Sequence, residues 1–131
     1  MSLGERLAGF LKPGAVVFFT AGLGAGKTTF TKGIARGLGI TEAVTSPTYT
    51  IISEYHGQHT LYHIDLYRIE EEDLQNLGLR EILCGNGVAV VEWAEKLLGA
   101  EDYNPIRITI RIEGDSLRVF EITLPGGEDA L

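Results

Sequence analysis

The sequence predicts an α/β fold: a central, mostly parallel sheet with antiparallel hairpin additions, lying between two layers of helices. The first observation is the apolar run 15–19, which is followed by a glycine-rich segment and then by the helical pattern 29–38. The second is the run 88–91, which lacks polar alternation, as expected for a strand covered on both faces. The third is that two pairs of β-rich segments are separated by short turn sequences, which is typical of hairpins.

The first half of the chain begins with a short predicted helix. Ser2 and Glu5 have capping-box spacing, and apolar residues recur at helical intervals up to an end at residues 12–14. The first strand follows at 15–19. The next helix, 29–38, is expected to bury three residues that share one face: Phe30, Ile34 and Leu38.

The centre of the chain predicts a loop, a hairpin and a helix. Residues 41–47 are expected to form the loop. Aromatic and β-branched residues dominate 49–55 and 60–67, and the turn residues between these segments predict an antiparallel hairpin. Residues 70–77 are expected to form a short acidic helix that ends at Gly78.

The last third predicts the central strand at 88–91 and a closing hairpin. Residues 105–112 and 116–124 alternate between apolar and polar side chains and are joined by a turn at 113–115. This alternation favours a hairpin with one face toward solvent.

Length and composition limit the classes of protein. The chain has 131 residues, 44% of them hydrophobic, which favours a single domain over residues 1–131. No run approaches the roughly 20 apolar residues that span a bilayer, so a cytoplasmic protein is expected. The one cysteine, Cys84, excludes an internal disulfide, and we expect it to be buried filler. The formal net charge of -7 repels polyanions and disfavours broad direct contact with nucleic acid.

The glycine-rich segment 21–28, AGLGAGKT, has the character of a phosphate-binding loop of P-loop NTPases. Its small residues allow backbone N–H groups to turn toward a triphosphate at the start of the next helix. We expect Lys27 to reach the outer phosphates and the Thr28 hydroxyl to bind Mg²⁺. The alternative is a flexible glycine turn with a surface lysine. The expected ATP contacts in this segment are Gly24, Ala25, Gly26, Lys27, Thr28 and Thr29.

A second polar cluster lies in the segment 63–68, HIDLYR. In a strand, alternation places His63, Asp65 and Tyr67 on one face. One interpretation is an ordinary polar face on an exposed edge strand. Beside a phosphate loop, however, Asp65 is a candidate catalytic carboxylate, because parallel sheets bind ligands at strand ends.

The third cluster is 91–93, VEW, at the end of the central strand. Glu92 follows a run of apolar residues, the position where nucleotide hydrolases carry an acid that contacts magnesium or polarises water. Glu92 is therefore a candidate metal ligand and catalytic residue. The alternative role is a helix-cap carboxylate for a helix beginning at Ala94. Whether Trp93 packs or stacks on a base stays open.

Four motifs in the same order resemble the bacterial TsaE family, formerly YjeE: LGAGKTTF at 23–30, SPTYT at 46–50, HIDLYR at 63–68 and VEW at 91–93. The resemblance extends from Leu3 to about Leu98. It implies a P-loop fold and Mg²⁺-dependent ATP hydrolysis in tRNA threonylcarbamoyladenosine biosynthesis. The implied partners are the threonylcarbamoyl transferase subunit and its paralogous partner subunit, with tRNA contacted only indirectly.

The same resemblance implies roles for individual residues. Thr28 and Glu92 would lie at the magnesium, and Asp65 would be needed for hydrolysis. Residues 46–48 would form a switch-like loop in which Thr48 senses the γ-phosphate. Such loops are ordered by the γ-phosphate and released after hydrolysis.

Two alternative functions stay open. A small-molecule kinase would use the same loop but would need an acceptor pocket and a cationic lid. A nucleotide-dependent binding module with negligible turnover would use the same acids to hold magnesium. Since no arginine finger is evident, an ATPase of this sequence is expected to be slow alone and stimulated by partners.

Overall fold

A computed structural model of the chain describes residues 3–21, 27–42, 51–97, 99–114 and 117–124. Helices and strands follow one another along these ranges, with three short 3-10 helices between them. The α-helices are α1 (Leu3–Ala8), α2 (Lys27–Gly37) and α3 (Leu79–Leu83). The strands are β1 (Val16–Ala21), β2 (Ile52–Tyr55), β3 (Leu61–Asp65), β4 (Val88–Glu92), β5 (Ile106–Glu113) and β6 (Leu117–Thr123). The 3-10 helices are Glu71–Leu77, Ala94–Lys96 and Ala100–Tyr103.

The six strands form one sheet in the order β2-β3-β4-β1-β5-β6. The four inner strands are parallel to one another: β3, β4, β1 and β5. The edge strands β2 and β6 each pair antiparallel with their inner neighbour. The predicted fold class, a mostly parallel sheet with antiparallel hairpin additions, is therefore confirmed. The closing hairpin does more than cover an edge, because β5 pairs with β1 inside the parallel sheet.

Each face of the sheet carries its own apolar core, because side chains alternate along every strand. The core on one face joins β1, β3, β4 and β5 to α1 and α2, and Phe30, Ile34 and Leu38 are buried there as predicted. The opposite core contains Phe18, Ile64 and residues of α3. All of β4 is buried, which confirms that it is covered on both sides. Within the described residues, no helix is both long and apolar enough to span a membrane.

Three local predictions need correction. Helix α1 ends at Ala8 rather than at residues 12–14, because i→i+3 bonds tighten the chain into turns, such as that from Phe10 N to Leu7 O at 2.8 Å. The acidic segment is a 3-10 helix that ends at Gly78, whose φ is 68°, and the separate helix α3 follows it. Cys84 is exposed instead of buried, because it lies at the carboxyl end of α3.

The contact between α1 and α2 depends on glycine. A Cβ at Gly4 would collide with the carbonyl oxygen of Phe30 and lie 3.0 Å from the backbone nitrogen of Ile34. Both obstacles are backbone atoms of α2, so they cannot rotate away. The two helices therefore pack more closely at Gly4 than any larger residue allows.

We expect the substitution Gly4→Ala to destabilise the protein by about 1–3 kcal/mol, the usual cost of overpacking. Alanine also favours the helix over glycine by up to about 1 kcal/mol, which opposes the steric cost. A net loss in the free energy of unfolding would therefore show that steric overlap dominates. Denaturant unfolding would measure it, with Gly9→Ala as control, because a Cβ at Gly9 would be 3.4 Å from its nearest atom, Arg6 O. A Gly4→Ala variant as stable as the parent would contradict the close packing.

Candidate functional site

The candidate site lies at the carboxyl edge of the parallel strands. Strand β1 ends at Ala21 and α2 begins at Lys27, so the glycine-rich segment joins a central strand to the start of a helix. On the adjacent strand, Glu92 is the last residue of β4 and is the Cα partner of Phe19. On the next strand, Asp65 is the last residue of β3 and is the partner of Glu92. Two acids therefore end neighbouring strands, and the strand that carries Glu92 lies directly beside the strand that leads into the glycine-rich segment.

Both acids belong to the face of the sheet that carries α2. Strand alternation groups Asp65 with Leu61, and Glu92 with Val88 and Val90. Leu61, Val88 and Val90 are buried in the core beneath α1 and α2. The two carboxylates thus lie on the face of the sheet that carries α2, at the carboxyl edge of the parallel strands.

The Glu92 carboxylate is buried and hydrogen-bonded. Its side chain is 7% exposed, and Oε2 lies 2.6 Å from Nε2 of His63. Trp93 occupies the N-cap position of the 3-10 helix Ala94–Lys96 without a side-chain cap bond, and that helix has only three residues. The structure therefore does not support the alternative role of Glu92 as a cap carboxylate.

Asp65 is held by the backbone that follows it. The Tyr67 backbone N–H donates a 3.0 Å hydrogen bond to Asp65 Oδ1, and the chain turns immediately after the strand. Such aspartate turns are a common local motif. The turn also corrects one prediction: β3 ends at Asp65, so Tyr67 leaves the strand face and is 58% exposed.

The edge-strand interpretation of this segment is wrong. Strand β3 has β2 on one side and β4 on the other, and His63 is 1% exposed. Because β2 forms the edge, the polar residues of β3 lie in the interior of the sheet. A buried polar side chain needs a partner, and for His63 that partner is Glu92.

The segment that follows Asp65 and the segment that follows Glu92 contact each other. The rings of Tyr67 and Trp93 have centroids 4.9 Å apart and are tilted by 43°. Lys96 Nζ donates to the carbonyl oxygens of Tyr67 and Ile69 at 2.8 and 3.0 Å. Trp93 therefore packs on Tyr67 while remaining 39% exposed, in a left-handed conformation with φ of 62°.

The remaining predicted site residues are only partly described. Thr29 is exposed in the first turn of α2. Lys27 and Thr28 are described only as the first two residues of α2. The rest lie outside the described residues: Gly24, Ala25, Gly26 and Thr48.

Sequence reasoning missed two residues of this region. The role of His63 could have been suspected from its spacing of two from Asp65, but its burial depends on which strand lies beside β3. Lys96 had no sequence signal, since lysine is common on helix surfaces. Its hydrogen bonds arise only because the segments after β3 and β4 come together.

Comparison with known proteins gives consistent matches over most of the chain. The family model "Threonylcarbamoyl adenosine biosynthesis protein TsaE" matches residues 1–120. The chain is similar to a tRNA threonylcarbamoyladenosine biosynthesis protein TsaE of Bacillus subtilis, with 47% identity over 126 residues covering 95% of this chain and 79% of that protein. A TsaE of Treponema pallidum is 43% identical over 122 residues, covering 92% of this chain and 89% of that protein.

A solved structure agrees with these sequence matches. The crystal structure of Bacillus subtilis YdiB superposes with a TM-score of 0.77 at 44% identity, covering 94% of this chain and 76% of that one. The chain therefore belongs to the TsaE family, whose proteins take part in the biosynthesis of tRNA threonylcarbamoyladenosine.

Proposed function

We propose that the protein is a Mg²⁺-dependent ATPase that acts on the threonylcarbamoyl transferase complex without transferring the group itself. The observation that carries this proposal is the register of the sheet: Glu92 ends the strand beside β1, which enters the glycine-rich segment, and Asp65 ends the next strand, in register with Glu92. A phosphate loop with acids on the neighbouring strands is the arrangement that phosphoryl-transfer enzymes use.

The donor set suits a magnesium nucleotide. Mg²⁺ prefers oxygen ligands and commonly uses one or two carboxylates together with substrate phosphates. Glu92 and Asp65 supply carboxylate oxygens, and one of them is already fixed by a hydrogen bond to His63. When bound, magnesium would neutralise phosphate charge, while the chain's own residues hold and orient the nucleotide.

Individual roles follow from this arrangement. Thr28 and Glu92 would bind magnesium, Lys27 would contact the outer phosphates, and Asp65 would orient the attacking water. Backbone groups would complete the phosphate cradle together with two threonines, one of which senses the γ-phosphate. These further residues are Gly24, Ala25, Gly26, Thr29 and Thr48.

The proposed partners are the transferase subunit and its paralogous partner subunit. The net charge of -7 supports contact with tRNA through these proteins rather than directly, because a strongly acidic surface repels a polyanion. The protein would work in the cytoplasm beside the complex that it serves. Because the motifs contain no arginine finger, a partner could supply the missing transition-state charge.

The proposal predicts that phosphate release to water depends on the transferase pair. A missing arginine finger costs about 10³-fold or more, so we expect the complete mixture to exceed the isolated chain by at least an order of magnitude. Phosphate release from Mg-ATP would be measured with each component omitted in turn. Transfer of the γ-phosphate to a small acceptor would instead identify a kinase. Tight ATP binding without turnover in the complete mixture would identify a binding module.

A further inference from the structure

His63 is a buried polar residue that packs among the apolar side chains beneath α2. Its neighbours on the same face of the sheet, Leu61 and Val90, belong to the core beneath α2, and His63 is 1% exposed. A leucine or phenylalanine would satisfy packing at such a position without burying polar atoms. The presence of histidine there therefore needs a reason beyond the stability of the core.

The hydrogen bond between His63 and Glu92 suggests what the histidine does. Strands β3 and β4 are parallel and His63 is the Cα partner of Val90, so Glu92 lies diagonally one step nearer the carboxyl edge. Nε2 approaches Oε2 at 2.6 Å between side chains that are 1% and 7% exposed. An ionised carboxylate only accepts hydrogen bonds, so with Glu92 ionised the proton of this bond is on Nε2.

The second ring nitrogen of His63, Nδ1, gains no hydrogen bond from its buried position in the part of the chain that the structure describes. Nδ1 is buried and has no hydrogen-bond partner among the described residues. Leaving a buried polar atom unpaired opposes folding. The polar character of His63 is thus directed at Glu92 alone among the contacts that the structure describes.

The two strand-end acids are held by different means. Asp65 is oriented by a backbone N–H two residues later, which any sequence forming that turn would supply. Glu92, in contrast, forms a hydrogen bond with a side chain of the neighbouring strand, 29 residues away in sequence. An effect of His63 should therefore pass through Glu92.

We propose that His63 is a positioning residue that fixes the orientation of the Glu92 carboxylate for the reaction. This inference rests on the ATPase function proposed above. His63 is buried behind Glu92 and acts through it, since its Nε2–H restricts the rotation of the carboxylate. Hydrogen-bonding groups behind catalytic or metal-binding carboxylates commonly contribute about 10- to 100-fold to activity.

Three substitutions separate positioning from packing. His63→Leu fills the core but removes the donor. His63→Gln places an amide N–H near the position of Nε2 and can still donate to Glu92. His63→Asn carries the same amide on a shorter side chain, near the position of Nδ1, and cannot reach as far. The exposed His56, changed to Gln, serves as the control.

The test measures steady-state hydrolysis of Mg-ATP with the transferase pair present, together with ATP affinity by calorimetry and thermal unfolding. We expect the Leu and Asn variants to lose about 10- to 100-fold in kcat. Their ATP affinity should stay within about threefold of the parent, because an orienting contact affects the transition state more than ground-state binding. His63→Gln should recover most of the lost rate, and His56→Gln should match the parent.

Two results would overturn the inference while leaving the ATPase intact. One is a Leu variant that hydrolyses ATP at the parent rate. The other is an equal loss in the Leu, Asn and Gln variants accompanied by lower ATP affinity and lower unfolding temperature, which indicates a purely structural role. A parent protein that releases no phosphate even with the complete pair would refute the proposed function, and the positioning role with it.

Discussion

Replacing Glu92 with glutamine is expected to abolish most ATP turnover while leaving ATP binding in place. Glutamine has the shape of glutamate and retains a carbonyl oxygen that can accept the hydrogen bond from His63, so the sheet edge should keep its structure. It lacks the negative charge needed to bind magnesium or to polarise water. Loss of such a group typically costs about 10²- to 10⁴-fold in rate.

The measurement is phosphate release in the presence of the transferase pair, with ATP affinity determined on the same preparation. Glu95→Gln is the matched control, because Glu95 lies three residues later and is exposed. Turnover that is unchanged in Glu92→Gln would reject the catalytic role of Glu92. A loss of folding would appear as a lower unfolding temperature, which the isosteric change is not expected to produce.

Replacing Lys27 with alanine is expected to weaken ATP binding itself. Lys27 opens α2 directly after the glycine-rich segment, the position from which a phosphate-loop lysine contacts the outer phosphates. Hydrogen bonds to charged groups contribute about 1.5–3 kcal/mol, so the dissociation constant should rise roughly 10- to 100-fold.

Titration calorimetry with Mg-ATP would measure this change directly. Lys32→Ala removes the same charge from an exposed position on the same helix and should leave the affinity near that of the parent. This control separates a local contact from a general effect of net charge. Full retention of affinity in Lys27→Ala would contradict the assignment of the segment 21–28 as a phosphate loop.

The two substitutions differ in what they change. Removing Lys27 should reduce binding, whereas removing the charge of Glu92 should reduce the chemical step. A protein in which both changes affect only binding would behave as a nucleotide-dependent module. Weaker ATP binding in Lys27→Ala together with slower turnover in Glu92→Gln would support an ATPase.

The sequence was sufficient where the deciding forces are local. Apolar runs and their periods predicted the strands β1 and β4, the buried face of α2 and both hairpins, because each pattern reports burial within a single element. The end of the run 88–91 also pointed to Glu92, and the alternation of 63–68 pointed to Asp65 as a strand-end carboxylate. Glycine predicted the end of the 3-10 helix at Gly78, where φ is positive.

Other features depended on contacts between distant segments. Alternation predicted which residues of β3 share a face, but it contains no information about which strand lies alongside. The edge-strand interpretation failed for this reason, because β2 forms the edge and β4 pairs with the other side of β3. The exposure of Cys84 was missed in the same way, since burial depends on neighbours as well as on residue type.

By itself, the sequence determined the class of fold, the phosphate-loop motif, the two strand-end acids and the family resemblance. Only the tertiary structure decided that β3 and β4 are neighbours, that His63 is buried against Glu92, and that Lys96 fastens the segments beyond them. The physical reason is that periodicity reports the environment along one element, whereas strand order and diagonal side-chain contacts are set by the packing of the whole sheet.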